Sequence, residues 1–174
     1  MRIIATPTLT LEPQTVAHAE EMFVVLNDPA IYEYENEPPP SLEWLRARFT
    51  KLEARQSADG KQQWLNWVIR LPTSELIGFV QATVRPSGNA GIAYVLASAY
   101  WGRGLARDAV EAMMTVLVES YRVGTFSAVL KRENFRSVKL LKRSGFSLAT
   151  VAEHVEYQVE LDELLMLRRS GSMS

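Results

Sequence analysis

Two stretches of this chain combine residue types that could hold an anion and steady a developing negative charge. Trp101-Gly102-Arg103-Gly104-Leu105-Ala106-Arg107 leads from a strand-like segment straight into a long helical pattern. A helix start presents unpaired N–H groups and a partial positive charge, so it can hold a phosphate. Two glycines would let the backbone come close to that anion, and Arg103 adds a cation. A dinucleotide fingerprint would need Gly or Ala at 107, where Arg107 stands, and no Gly-Lys-Ser or Gly-Lys-Thr follows for a P-loop. The plain alternative is an ordinary glycine turn before a helix. The second stretch, residues 131–146, carries Lys131, Arg132, Arg136, Lys139, Lys142 and Arg143 around Asn134 and Ser137. Such a run could attract a phosphate or could simply be a solvated helix face.

The acid–base inventory is short. With no cysteine in the chain, a thiolate nucleophile, a disulfide and a Cys-ligated metal are excluded. No His or carboxylate cluster has metal-ligand spacing, so no metal is expected. His154 has a suitable ordinary pKa for a base but reads as lying near a strand turn, and His18 falls on a helix as a structural or exposed residue. Glu33, Glu35 and Glu37 sit in an acidic, aromatic loop, residues 32–37, closed by Pro38-Pro39-Pro40. Tyr32, Tyr34, Trp64 and Trp67 could line a pocket or pack in the core.

Elements must place these residues, and the periodicities define them. Val16, Ala19, Phe23 and Leu26 keep helical spacing until Asn27-Asp28-Pro29. Ser41 caps a second helix with Leu42, Leu45, Phe49 and Leu52 on one stripe. Strands are expected at 64–70, 76–84 and 92–96, then a helix from Leu105 to Tyr121 with Gly124 as its stop. A strand at 126–130, a basic helix at 135–144 ended by Gly145, a strand from Phe146 and a last strand at 155–161 complete the pattern, with a turn at 164–167. Strands interleaved with helices indicate an α/β fold, a twisted mixed sheet covered by helices. The 174 residues, 47% apolar and 22% charged, suit one domain with one sizeable core. Arg168 to Ser174 read as a frayed tail, and the domain is taken as 1–169 with 170–174 as a flexible end. No apolar run approaches the roughly 20 residues that span a bilayer and no leader-like start is read, so a cytoplasmic protein without membrane contact is expected. Residues 1–60 hold 10 acidic and 5 basic side chains, and residues 100–145 hold 4 acidic and 9 basic. That asymmetry fits an anion at one part of the surface and a cation at another, or chance clustering.

Taken together, the 101–106 loop and the Asn134-to-Phe146 segment resemble the GNAT superfamily of acetyl-CoA-dependent N-acetyltransferases. Gly104 and Ala106 match the family's pyrophosphate loop, and Asn134 and Ser137, followed by Gly145-Phe146, match its later helix. The Trp-Gly-x-Gly form, Thr6 to Leu11 and the Asn27-Asp28-Pro29 helix end are similar to the branch of ribosomal-protein N-terminal acetyltransferases, so the resemblance spans nearly the whole chain. Three departures stand out: Trp101 at a Gln/Arg position, Leu141 where many relatives carry a thiolate-protonating tyrosine, and Gly91 where this branch often has a glutamate.

The resemblance implies a single GNAT domain, largely antiparallel, with splayed central strands and acetyl-CoA as co-substrate. It places cofactor contacts at Tyr94, Val95 and Leu96 through backbone groups, at Trp101, Gly102, Arg103, Gly104, Leu105, Ala106 and Arg107, and at Asn134 and Ser137. The catalytic expectation is an oxyanion donor at the Leu96 N–H, a hydrogen bond from Ser137 to the leaving sulfur, Asn134 orienting the cofactor arm, and Glu35 as the favoured carboxylate near the amine. Without cysteine, acetyl would pass directly to a primary amine, a peptide N-terminus or a small molecule. An α-amine, with pKa near 8, is far more often neutral at pH 7 than a lysine amine near 10.4. A catalytically weak CoA-binding sensor of the same fold is the alternative reading. Nucleic-acid binding is not expected, because the basic segment lacks interleaved aromatics and the net charge is −1. A homodimer is as compatible with the sequence as a monomer.

Overall fold

The computed structural model describes residues 1–171. Its sheet has eight strands in the order β1-β2-β3-β4-β5-β6-β8-β7. The first five, β1 (Ile4–Ala5), β2 (Thr10–Pro13), β3 (Gln63–Arg70), β4 (Leu76–Val84) and β5 (Asn89–Leu96), are antiparallel neighbours. After β5 the chain crosses over through helix α3 (Leu105–Tyr121), and β6 (Thr125–Lys131) joins β5 in parallel. Helix α4 (Phe135–Arg143), β7 (Ser147–Leu148), α5 (Val151–Glu156) and β8 (Glu163–Arg169) follow, with β8 between β6 and β7. The mixed, mostly antiparallel sheet is the one expected.

Alternation along the strands divides the core between two faces. Trp67 faces the cluster built with Ile77, Phe126 and the Val110, Met113 and Leu117 stripe of α3. Val68, its neighbour, faces the other way, onto Met22 of α1 (Ala19–Val25) and Leu45 and Phe49 of α2 (Leu42–Leu52). Ser41 caps α2 as its position predicts, accepting from the Trp44 N–H at 3.0 Å. On α1 the inward residues are Ala19 and Met22, whereas Val16, in the short turn before the helix, is exposed.

β5 and β6 pair only over Asn89–Gly91 against Thr125–Ser127. Beyond that point the two strands diverge, and the sheet opens into a wedge at its centre. That divergence sets the place of the candidate site.

Four expectations need correction. The expected strand at 155–161 is the helix α5 and its exit, and the last strand is β8, at 163–169, where only a turn was expected. Thr150 and Glu153 form a reciprocal capping box that starts α5. Val151 and Val155 mimic strand residues, yet both are exposed (83% and 72%), so they pack against no sheet. Arg168 and Arg169 are not frayed: they pair with Phe126 and Thr125. α3 stops at Arg122, which takes the left-handed conformation (φ 55°) that Gly124 was expected to supply. Finally, β5 starts at Asn89, three residues earlier than read. Ser172 to Ser174, within the expected flexible end, lie outside the described residues.

Candidate functional site

The glycine loop owes its shape to backbone conformation. Gly102 and Gly104 have φ of 78° and 77°, and, immediate chain neighbours aside, no described residue has an atom within 4 Å of where a Cβ would be at either position. Both glycines therefore serve left-handed turns and leave open space in front of the α3 N-terminus. Gly104 is the N-cap, and the first helical bond runs from the Asp108 N–H to its carbonyl at 3.0 Å. The N–H groups of Leu105, Ala106 and Arg107 precede that bond and have no intrahelical partner. Arg103 is exposed, with its guanidinium 5.5 Å from the Tyr100 ring. Arg107 faces along the helix to Glu111 at 3.0 Å.

Trp101 ties this loop to the end of β5. Its indole N–H donates to the Leu96 carbonyl at 2.8 Å, and the Arg136 guanidinium lies over its ring at 3.6 Å. The Ala97 N–H donates to Ile77, which puts Ala97 in hydrogen-bonded phase with β4. Antiparallel alternation then turns the N–H and C=O of Leu96 toward the open edge, and those of Tyr94 likewise, while Val95 is in phase with Phe79 of β4. Two of the three expected backbone contacts thus face the wedge, and Val95 faces its neighbour strand. Gly78, across from Leu96, sits so close that a Cβ there would run into the Val95 carbonyl oxygen and the Leu96 Cα. Nothing in its sequence context marks that glycine beyond its place inside a strand, a pattern associated with close backbone approach.

The opposite wall of the wedge is α4. Asn134 is its N-cap, accepting from the Ser137 N–H at 3.2 Å, so its carboxamide oxygen is engaged in holding the helix start. Ser137 is half-buried one turn on, and Leu141, fully buried, follows on the same face. Lys131 pairs with Asp162 at 2.9 Å and Arg132 donates to the Leu161 carbonyl, so these two cations are engaged at the far end of β6.

A cleft of about 400 Å³ runs beneath the acidic loop and through the wedge. The loop contributes Tyr32, Tyr34, Glu35 and Glu37, and α2 contributes Trp44 and Arg48. Glu33 does not line it, nor do Trp64 and Trp67; Trp67 is buried in the core and donates to the Arg2 carbonyl at 3.0 Å. A smaller channel of about 110 Å³ passes beside Trp101 and Leu96, and Tyr94, Asn134 and Ser137 line both spaces. Although Glu35 as a residue is exposed, burial of its carboxyl and then the Glu163 carboxylate push its pKa above the ordinary value, against the pull of Lys131.

Both histidines are structural. His154 lies within α5, not at a strand turn: Nδ1 faces the Thr150 carbonyl at 2.8 Å and Nε2 accepts from the Leu165 N–H at 3.0 Å. The ring pins α5 to β8 and has no free nitrogen for a base. His18 accepts from the Thr15 N–H at Nδ1 and meets Glu12 through Nε2. Sequence reasoning took Asp28 only as part of a helix stop. Its carboxylate accepts from the Ala30 N–H at 3.1 Å and the Ser98 N–H at 2.7 Å, tying the start of the acidic loop to the turn after β5. The Ser98 hydrogen bonds hold its carboxyl below the usual range. Among the described residues, no group of three or more His, Cys, Asp or Glu is placed to hold a metal ion.

The family model described as an acetyltransferase (GNAT) domain matches residues 8–147. An uncharacterized N-acetyltransferase, p20, of Bacillus licheniformis is 25% identical over 148 residues, spanning 84% of this chain and 83% of the relative. Among solved structures, RimL, a ribosomal L7/L12 α-N-protein acetyltransferase in complex with coenzyme A, superposes with a TM-score of 0.80 at 20% identity, covering 97% of this chain and 98% of that one. A ribosomal-protein-S5-alanine acetyltransferase from Vibrio fischeri gives 0.78 at 16% identity, covering 100% of both.

Proposed function

The chain belongs to the GNAT acetyltransferase family, and from that premise we propose that it moves acetyl directly from acetyl-CoA to a primary amine in the acidic cleft, most readily the α-amine of a peptide. The observation that carries this reading is the divergence of β5 from β6 beyond Gly91 and Ser127. It leaves the Leu96 N–H open to the wedge, between the glycine loop on one side and the acidic cleft on the other.

In this reading the unpaired N–H groups at the start of α3, with Arg103, hold the pyrophosphate. The open backbone edge at Tyr94 and Leu96 receives the pantetheine amides, as an added strand would be received. Bound acetyl-CoA supplies a thioester carbonyl open to attack. The Leu96 N–H then faces the oxygen that gains charge, and a preorganised donor of this kind is typically worth about 3–4 kcal/mol. Ser137 donates a hydrogen bond to sulfur as it becomes thiolate. Glu35, kept above the usual carboxylate range, accepts the proton that the amine gives up, directly or through water. Glu35 and Glu37 also attract the positive charge that most amines carry at neutral pH. RimL and the Vibrio fischeri enzyme, which act on ribosomal proteins, share the fold and support a peptide acceptor.

Calorimetry with acetyl-CoA and a thiol-release assay across peptide N-termini, polyamines and aminoglycosides test the proposal together. Micromolar-scale binding with thiol release favouring peptides is expected. Binding without release across the panel would make the protein a CoA sensor, a reading to which the apolar Leu141 already lends support.

A further inference from the structure

Where the two clefts meet, a buried hydroxyl has no partner. Tyr94 packs against the α3-side core, on the strand face it shares with Ile92 and Leu96, and lines both the acidic cleft and the channel beside Trp101. Among the described residues its hydroxyl is buried without a hydrogen bond. Ser137 is near enough to offset part of what burial does to the phenol, yet the two hydroxyls do not meet in hydrogen-bonding geometry. Buried polar atoms are almost always paired, so an orphan at this junction calls for a reason. Phenylalanine would fill the same core space without the orphan. Ser137 is half-buried: Asn134 accepts from its backbone N–H, and among the described residues no hydrogen bond holds its side-chain hydroxyl.

We propose that Tyr94 is the positioning residue for Ser137: a small side-chain adjustment when acetyl-CoA fills the wedge lets its O–H donate to Ser137 Oγ, so that the serine proton points at the thioester sulfur. The inference rests on the acyl-transfer reading above. Tyr94 suits hydrogen-bond donation without proton transfer. Burial pushes its pKa up to about 12, so the phenol keeps its proton against a thiol near 8.5. In the step, the amine nitrogen bonds to the carbonyl carbon, the C–S electron pair leaves on sulfur, and the amine proton departs toward Glu35 or water. Tyr94 and Ser137 retain their protons throughout, and the free thiolate is protonated by water. The pair thereby supplies from β5 and α4 together the donor that the apolar Leu141 does not.

The test is Tyr94→Phe, alone and combined with Ser137→Ala. The single variant is expected to lose about fivefold to twentyfold in kcat, the effect of one hydrogen bond felt mainly in the transition state. Its acetyl-CoA dissociation constant should stay within about twofold, because the contact is made to Ser137 and strengthens only as sulfur gains charge. Its Tm should hold or rise, since the substitution removes an orphaned buried hydroxyl and keeps the ring. The double variant should be no slower than Ser137→Ala alone, because Tyr94 acts through that serine. Wild-type kcat in Tyr94→Phe, losses that multiply in the double variant, or a fall in Tm accompanied by weakened binding would each overturn the assignment. A wild-type protein that releases no thiol with any amine would overturn the acyl-transfer reading itself, and with it the role of Tyr94.

Discussion

Ser137 and Arg103 divide chemistry from binding at the level of single side chains. If Ser137 stabilises the leaving sulfur, Ser137→Ala should lower kcat roughly tenfold to a hundredfold, about 1.4–2.7 kcal/mol, with the acetyl-CoA dissociation constant unchanged. Turnover measured where chemistry limits the rate, alongside calorimetry, checks both halves; unchanged kcat would leave Ser137 a helix-surface hydroxyl. Arg103 should behave in the opposite way. Arg103→Glu places a negative charge before the α3 N-terminus and should weaken acetyl-CoA binding with little change in Tm, because Arg103 is exposed and gives up only a long contact over the Tyr100 ring. It is a cleaner probe than a side chain at Gly104, where φ of 77° would add backbone strain to any electrostatic effect. Ser137 and Arg103 were legible from motif spacing. Tyr94 was legible only as backbone, because its unpaired hydroxyl is a property of packing.

At the scale of elements, the wedge is maintained from both sides. β4 is pressed against β5 at Gly78, where a Cβ would strike Val95 and Leu96. Gly78→Ala should therefore push β5 out of place just where Leu96 opens to the wedge. Both Tm and acetyl-CoA affinity should fall, and retention of either would show that the strands tolerate the displacement. On the other side Asn134 holds the start of α4. Asn134→Ala should cost about 1 kcal/mol of stability as a lost cap, and Asn134→Asp should restore most of it. If Asn134 instead orients the cofactor arm, the Asp variant would stay impaired in kcat while recovering its Tm. The α4 helix and its Asn-x-x-Ser motif were readable in the sequence, but Asn134 was read as orienting the cofactor arm and not as a cap. The α5 capping box was not read, because Val155 and Val159 suggested extended chain and no local rule showed that Val155 faces solvent.

Over the whole molecule, acid should loosen the acceptor side. The Arg70 guanidinium, at 2.6 Å from its carboxylate, holds Glu12 below its ordinary pKa against burial, with His18 adding to the effect. Asp28 is held low by the Ser98 hydrogen bonds. Carboxyls depressed in the folded state contribute stability that is fully present above their unfolded values, near 4, and is lost as pH falls through the folded values. Tm should thus be flat through neutral pH and drop below about pH 4. Asp28→Asn should flatten part of that drop while lowering Tm at pH 7. An acid profile identical to wild type would show that the link between the acidic loop and the β5 exit contributes little.

The sequence by itself determined the composition of the site and most of the elements that carry it. Glycines before an apolar helix, an Asn-x-x-Ser helix start, and period-2 and period-3.6 patterns are local signals, set by backbone geometry and solvent on either side of a single element. The family resemblance implied splayed central strands, but only the tertiary structure decided where β5 leaves β6, that Gly78 lets β4 press against the departing strand, that Trp101 closes onto Leu96, and that the Tyr94 hydroxyl lies unpaired beside Ser137. Each joins segments far apart in the chain or depends on how closely backbones approach. A one-dimensional pattern records which residues are apolar and where turns fall, but not which hydroxyl the packing leaves without a partner.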